Sequence, residues 1–217
     1  MIITAILTGD IVGSSKIEHR FRPKLNETLY KVVDDFKVLS SDVRIEMYRG
    51  DGFQVEVKNP EQAIKLAILL RAGLRAATPL SGSKQPWDAR VSVGLGGVSY
   101  MTDSLITSDG EAFVNSGHGL DCIGKKKISI KTPWSEVDEN ISLLTEFVDD
   151  IISNWTIQQS IVIYKKILTN KSQREIAEER KQKPANISSI LRKSKELLIS
   201  KYINRYESLI KEKTLAI

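Results

Sequence analysis

The stretch Tyr48-Arg49-Gly50-Asp51-Gly52-Phe53-Gln54 constrains this chain more than any other. Val43–Tyr48 before the turn and Phe53–Val57 after it alternate apolar and polar residues at the strand period of two, which predicts a β-hairpin with Asp51 at or near its tip. The turn needs its glycines for positive φ, but packing gives no reason for an acid there. A second acid, Asp10, follows the apolar run Ile2–Leu7 in Thr8-Gly9-Asp10-Ile11-Val12-Gly13-Ser14-Ser15. With the first strand beside the hairpin, Asp10 and Asp51 are expected to face each other next to a Gly-Ser loop with free backbone N–H groups. Those are the ingredients of a Mg²⁺ and phosphate site. Asp-Gly is also a common turn dipeptide whose acid is simply solvated, so the pair carries the expectation rather than either acid alone.

The remaining periodicities place this hairpin in a larger pattern. Pro23–Leu39 carries Leu25, Leu29, Val32, Val33 and Phe36 at helical spacing. Asn59-Pro60-Glu61 starts a second helix, with Ala63, Ile64, Ala67, Ile68 and Leu74 inward, that stops at Thr78-Pro79. Leu80–Pro86 is turn-rich, and Ala89–Leu95 reads as a buried strand. Strand, helix, hairpin, helix, strand is the βαββαβ order of a ferredoxin-like split motif, expected with its helices on one sheet face, so the fold class is α+β. A further helix opens at Asp109 and runs to about Ile123. Lys127–Lys131 alternates like an edge strand, and Thr132–Glu139 reads as a linker, closing a unit over residues 1–135.

Residues 136–217 read as a separate all-α unit. Leu143–Ile152 forms a short helix, and Thr156 with Gln159 offers a capping box to the helix carrying Ile161, Ile163, Tyr164 and Leu168. Ser172 with Glu175 offers a second capping box, followed by Ile176 and Ala177. Pro184 starts a third helix with Ile187, Ile190 and Leu191 inward, expected to continue to about Lys213. Ala185, Asn186, Ser188, Ser189, Arg192 and Lys193 are left for the outer face, the arrangement of a helix-turn-helix facing DNA. A small helical dimerisation bundle is the alternative, because Gln182 and Lys183 stand where a tight apolar turn is expected. The apolar residues beyond Leu197 suggest a homodimer.

Charge supports the nucleic-acid reading. The net charge is +5, and from Lys171 onward twelve Lys and Arg stand against six Asp and Glu, so the excess is concentrated in the last quarter. A basic helical surface can equally be a solvated face. The single Cys122 excludes an intrachain disulfide and is expected to be a small buried residue, and His19 and His118 are ordinary residues far apart in sequence. No apolar run reaches the length of a membrane span and no signal peptide is recognisable, so the expectation is a cytoplasmic protein with no membrane partner.

The motifs Thr8–Ser15, Arg49–Gln54, Val91–Gly96, Asp109-Gly110-Glu111-Ala112-Phe113 and Trp155-Thr156, followed by the helix-turn-helix pattern, resemble bacterial SatD-family proteins over most of the chain. More distantly, the first two motifs and Val91–Gly96 are similar to the catalytic domain of class III nucleotidyl cyclases. That resemblance implies two Mg²⁺ or Mn²⁺ ions held by Asp10 and Asp51, and a nucleotide-like ligand whose phosphates rest on the backbone of Ile11, Val12, Gly13 and Ser14. This sequence departs from the cyclase pattern at two places. Met47 stands where adenine-specific cyclases place a lysine, and Gly119 stands four residues after Asn115, where they place the arginine that stabilises the transition state. Arg49 or Arg90 can replace that arginine only if directed into the site. No catalytic residue is assigned. A regulator that binds ligand and DNA is the leading expectation, and an active cyclase or nucleotidyl transferase with a helical targeting or dimerisation unit is the alternative.

Overall fold

A computed structural model of the chain describes residues 2–79 and 85–216, so the turn-rich reading of Leu80–Pro86 lies, for residues 80–84, outside the described residues. Among these residues five strands form one mixed sheet, β1 (Thr4–Ile11), β2 (Val43–Tyr48), β3 (Gly52–Val57), β4 (Ala89–Gly96) and β5 (Ile128–Lys131), in the order β2-β3-β1-β4-β5. The first four run antiparallel to their neighbours, and β5 adds a parallel edge to β4. Eight α-helices accompany them, so the architecture is α+β.

Strand parity decides what each sheet face meets. Ala5, Leu7, Val55, Val57, Val91, Val93 and Leu95 join the main core with α1 (Arg22–Phe36) and α2 (Ala63–Ala77). Ile6 turns the other way and packs with Ala112 and Phe113 of α3 (Glu111–Asp121), while Thr8 Oγ1 hydrogen-bonds Ser116 Oγ at 2.8 Å. Both faces are therefore covered, which corrects the expectation of helices on one face only. The approach of α3 is close. A Cβ on Gly94 would lie 2.2 Å from the Ser116 nitrogen, so only glycine fits at that strand position.

The helix α2 is buried nearly all round, Leu66, Leu69, Leu70, Arg71 and Ala72 included, where the periodicity alone marks one face. A helix apolar on every side belongs inside, and here α1 and the sheet cover one side while later helices cover the rest. These are α4 (Ser135–Ser153), α5 (Ile157–Thr169), α6 (Gln173–Glu179), α7 (Pro184–Lys193) and α8 (Glu196–Leu215). One hydrophobic core consequently runs from the sheet through α2 into Val162, Ile187, Tyr206 and Ile210.

Two expected boundaries are corrected. Glu136–Glu139 is not a linker but the first turn of α4, where Val137 and Ile141 are buried and the acids lie at the positive end of the helix dipole. The helix beginning at Pro184 does not continue to Lys213. It ends at Lys193, Ser194 hydrogen-bonds back to Ile190, and Lys195 takes a left-handed conformation (φ 59°) before α8 begins. Cys122, expected to be buried, is exposed.

Candidate functional site

Asp10, near the end of β1, lies opposite Gly52 of β3 and Arg90 of β4, and Tyr48 of β2 lies beyond Gly52, so Tyr48, Gly52, Asp10 and Arg90 form one transverse row. Asp51 precedes Gly52 and its backbone carbonyl accepts from the Ile11 N–H at 3.1 Å, which brings the two acids to adjacent strand ends. The hairpin turns through Arg49 (φ 52°) and Gly50 (φ 85°), leaving Asp51 as the last residue before β3. A shallow cavity of about 410 Å³ is lined by Asp10, Ile11, Val12, Gly13, Ser14, Ser15, Asp51 and Arg90. The structure thus brings together both acids and the whole Ile11–Ser14 loop.

Neither carboxylate is idle. Arg90 donates to Asp10 with two nitrogens, Nε to Oδ1 at 2.8 Å and Nη2 to Oδ2, a bidentate fork. That hydrogen bond, opposed by burial and joined by the charge of Asp10, raises the Arg90 pKa. Asp51 instead accepts from the Ser14 hydroxyl at 2.5 Å. The acids therefore border a common cavity through different partners, rather than simply facing each other.

The loop is anchored from below. Ile11 N–H goes to Asp51 and Val12 N–H to the Asp88 carbonyl at 2.9 Å, so these two amides are spent within the protein. The N–H groups of Gly13 and Ser14 have no partner among the described residues, and Gly13 holds a left-handed conformation (φ 63°) with open space where a Cβ would stand. Within this loop the Gly13 and Ser14 amides are thus the ones left open to the cavity, and those of Ile11 and Val12 are not. Arg22 Nη2 fixes the Ser14 carbonyl at 3.2 Å.

Asp88 belongs to a buried network that sequence reasoning missed. Its carboxylate takes Arg71 Nε and Nη2 at 2.8 and 2.9 Å and Arg75 Nη1 at 2.9 Å. Arg71, fully buried, also reaches Asp149 of α4 at 2.6 Å, and Arg75 donates to the carbonyls of Ser153 and Trp155. The sequence signal was two arginines at four-residue spacing on a largely apolar helix, and buried arginines require partners.

Tyr48 is a second residue that sequence reasoning missed. Its half-buried ring lies where a Cβ on Gly52 would come within 2.7 Å, so the glycine gives the ring its seat. Burial first, then the charge of Asp10, pushes its phenol pKa up.

Two carboxylates lining one cavity beside a loop with free amides suit Mg²⁺ or Mn²⁺, which takes few protein ligands and fills its octahedron with water and phosphate oxygens. Among the described residues no cluster of three or more His, Cys, Asp or Glu forms a protein-only cage. Met47 packs against the main core, on the face away from Asp10. Asn115 Nδ2 is tied to the Leu95 carbonyl at 2.7 Å.

The second candidate surface lies on α7. Both expected capping boxes are present, at Thr156 with Gln159 and at Ser172 with Glu175. Lys181 supplies the left-handed residue (φ 52°) in the turn between α6 and α7, and Gln182 N–H returns to the Ala177 carbonyl at 2.9 Å. Ile176, Ala177, Ile187 and Leu191 are buried between the helices, whereas Ala185, Asn186, Ser188, Arg192 and Lys193 are exposed and Ser189 is half-buried. Trp155 Nε1 donates to the Ser194 carbonyl at 3.0 Å and so pins the end of α7 to the joint between α4 and α5. No helix among the described residues is long and apolar enough to cross a membrane. Compared with known proteins, the chain matches no family model and no curated protein.

Proposed function

We propose that this chain is a SatD-like transcriptional regulator in which a cyclase-type unit, residues 1–135, binds a nucleotide or related anionic ligand with Mg²⁺ or Mn²⁺, and residues 136–217 bind DNA. The observation that carries the reading is the cavity shared by Asp10, Asp51 and the Gly13-Ser14 amides. The strand order β2-β3-β1-β4, antiparallel throughout, is the order a ferredoxin-like βαββαβ chain produces and supports the cyclase-type assignment. The exposed polar face of α7, joined to a short α6 by a four-residue turn and preceded by α5, supports a helix-turn-helix with α7 in the major groove.

Binding rather than turnover fits the departures from the cyclase pattern. Asn115 is engaged by the Leu95 carbonyl, Gly119 has no side chain, and Arg90 is paired with Asp10. With Arg90 on Asp10 no guanidinium is preorganised for charge developing on a phosphate, a group worth about 10³- to 10⁵-fold in rate, and Arg90 can supply one only by leaving Asp10. One observation favours the enzyme alternative, namely that Arg90 does border the cavity.

Thermal melting with each nucleoside triphosphate and Mg²⁺ or Mn²⁺ tests the reading, because a ligand that binds only the folded state raises Tm. At least one nucleotide should raise Tm in the wild type and fail to do so in Asp51→Asn, with the nucleotide recovered intact. Release of pyrophosphate would favour the cyclase alternative. An identical shift in wild type, Asp10→Asn and Asp51→Asn would overturn the site.

A further inference from the structure

We infer that Arg90 gates the site: it holds Asp10 while no metal is bound, and a divalent cation that takes Asp10 releases the Arg90 guanidinium to a phosphate of the ligand. This rests on the metal-and-nucleotide reading above and adds to it a residue and an order of dependence. Both oxygens of Asp10 accept from Arg90, so a cation arriving at either oxygen meets a positive charge already seated there. A cation and a guanidinium repel, and only one can occupy the fork. Asp51 differs, because its partner is the neutral Ser14 hydroxyl and a cation can approach without displacing charge.

The pair is placed to exchange. Its side chains are 40% (Arg90) and 26% (Asp10) exposed at the cavity wall, so parting them does not strand a charge in the interior. Arg90 stands opposite Asp10 on the neighbouring strand and borders the same cavity as the Gly13 and Ser14 amides. Its side chain can therefore turn from carboxylate to phosphate while the backbone register stays fixed. The consequence is mutual dependence. Metal alone must compete with Arg90, and a polyphosphate alone meets two carboxylates and an engaged guanidinium. Together the cation lies between the carboxylates and the phosphates, and the freed guanidinium meets a phosphate, so each ligand lowers the cost of binding the other.

The test uses the full chain, Mn²⁺ and inorganic triphosphate, with affinities measured by titration calorimetry and Mn²⁺ paramagnetic resonance. Linkage requires that Mn²⁺ tighten triphosphate by the same factor as triphosphate tightens Mn²⁺. Arg90→Gln should tighten binding of Mn²⁺ alone and shrink that mutual factor, each by about tenfold, within the range common for coupled sites. Arg90→Lys, which keeps the charge and loses the fork, should fall between, and it guards against a Gln variant that misfolds. A merely structural arginine would weaken both ligands together. Unchanged or weaker Mn²⁺ binding in both variants, with the mutual factor intact, overturns the gate and leaves the metal site standing. Absence of Mn²⁺ binding in wild type and variants alike overturns both.

Discussion

A carboxylate held by a guanidinium fork and one held by a single hydroxyl meet an incoming cation differently, yet both lie at the cavity wall, where the Arg90–Asp10 ion pair contributes at most about 1 kcal/mol to folding and an asparagine at 51 can still accept from the Ser14 hydroxyl. Asp10→Asn and Asp51→Asn should therefore keep denaturation midpoints close to wild type while losing the ligand-induced rise in Tm. Gly9 is the opposite kind of residue. An added Cβ would stand 2.4 Å from the Phe53 ring and 2.6 Å from the Arg90 carbonyl, so Gly9→Ala should cost about 1–3 kcal/mol in urea denaturation. Alkaline pH tests the buried phenols. Tyr206 is fully buried and donates to the Pro60 carbonyl at 3.0 Å, and burial above all, with Tyr202 and Glu61 nearby, raises its pKa well above the ordinary 10.0. Burial raises that of Tyr202 likewise. Below the unfolded value both states are protonated and the contribution is intact; above it only the unfolded chain ionises. Stability should thus fall as pH rises past about 10, and fall less in Tyr206→Phe, measured by urea midpoints from about pH 9 to about pH 11. The two acids were legible because glycines flank them in sequence. Arg90 and Tyr48 were not legible as neighbours of Asp10, because the cross-strand register that aligns them is set by pairing partners far apart in the chain.

At the scale of elements, local periodicity predicted the hairpin, α1 and the two capped helices, since each signal lies within one turn or one strand. It failed where tertiary packing outweighs composition. The acids of Glu136–Glu139 read as linker, but Val137 and Ile141 start the buried stripe of α4, and Asp138 accepts from the Thr132 N–H at 2.9 Å. The break between α7 and α8 was hidden because Lys195 carries no helix-stopping signal. A non-glycine residue at φ 59° is held there at a cost, so Lys195→Gly should raise stability by about 1 kcal/mol, read from the denaturant midpoint. Arg71 makes the converse case. Arg71→Met would leave Asp88 and Asp149 buried without their shared cation, and the loss should be about 3–5 kcal/mol.

For the whole molecule, the Asp88–Arg71–Asp149 network and the continuous core fasten the β-sheet to the C-terminal helices. Of the apolar residues of α8 that suggested a dimer, Ile203, Tyr206, Leu209 and Ile210 are buried within the chain, with Tyr206 on the Pro60 carbonyl, whereas Leu197 and Leu198 are exposed. Of the C-terminal cations, Lys171 pairs with Glu179 and Lys213 with Glu136, while Arg192 and Lys193 of α7 are exposed. If α7 enters the major groove, Asn186→Ala should relax base preference at one position for about 1–3 kcal/mol, whereas Lys193→Ala should weaken binding to all sequences and lower the salt slope by about one. The most direct measurement is selection from random DNA by the full chain, followed by titrations of the enriched duplex at several salt concentrations with and without Mg²⁺ and the stabilising nucleotide. An enriched sequence, bound with strong salt dependence and with an affinity that shifts when metal and nucleotide are added, is the result this account predicts. No enriched sequence and binding indifferent to salt would contradict it.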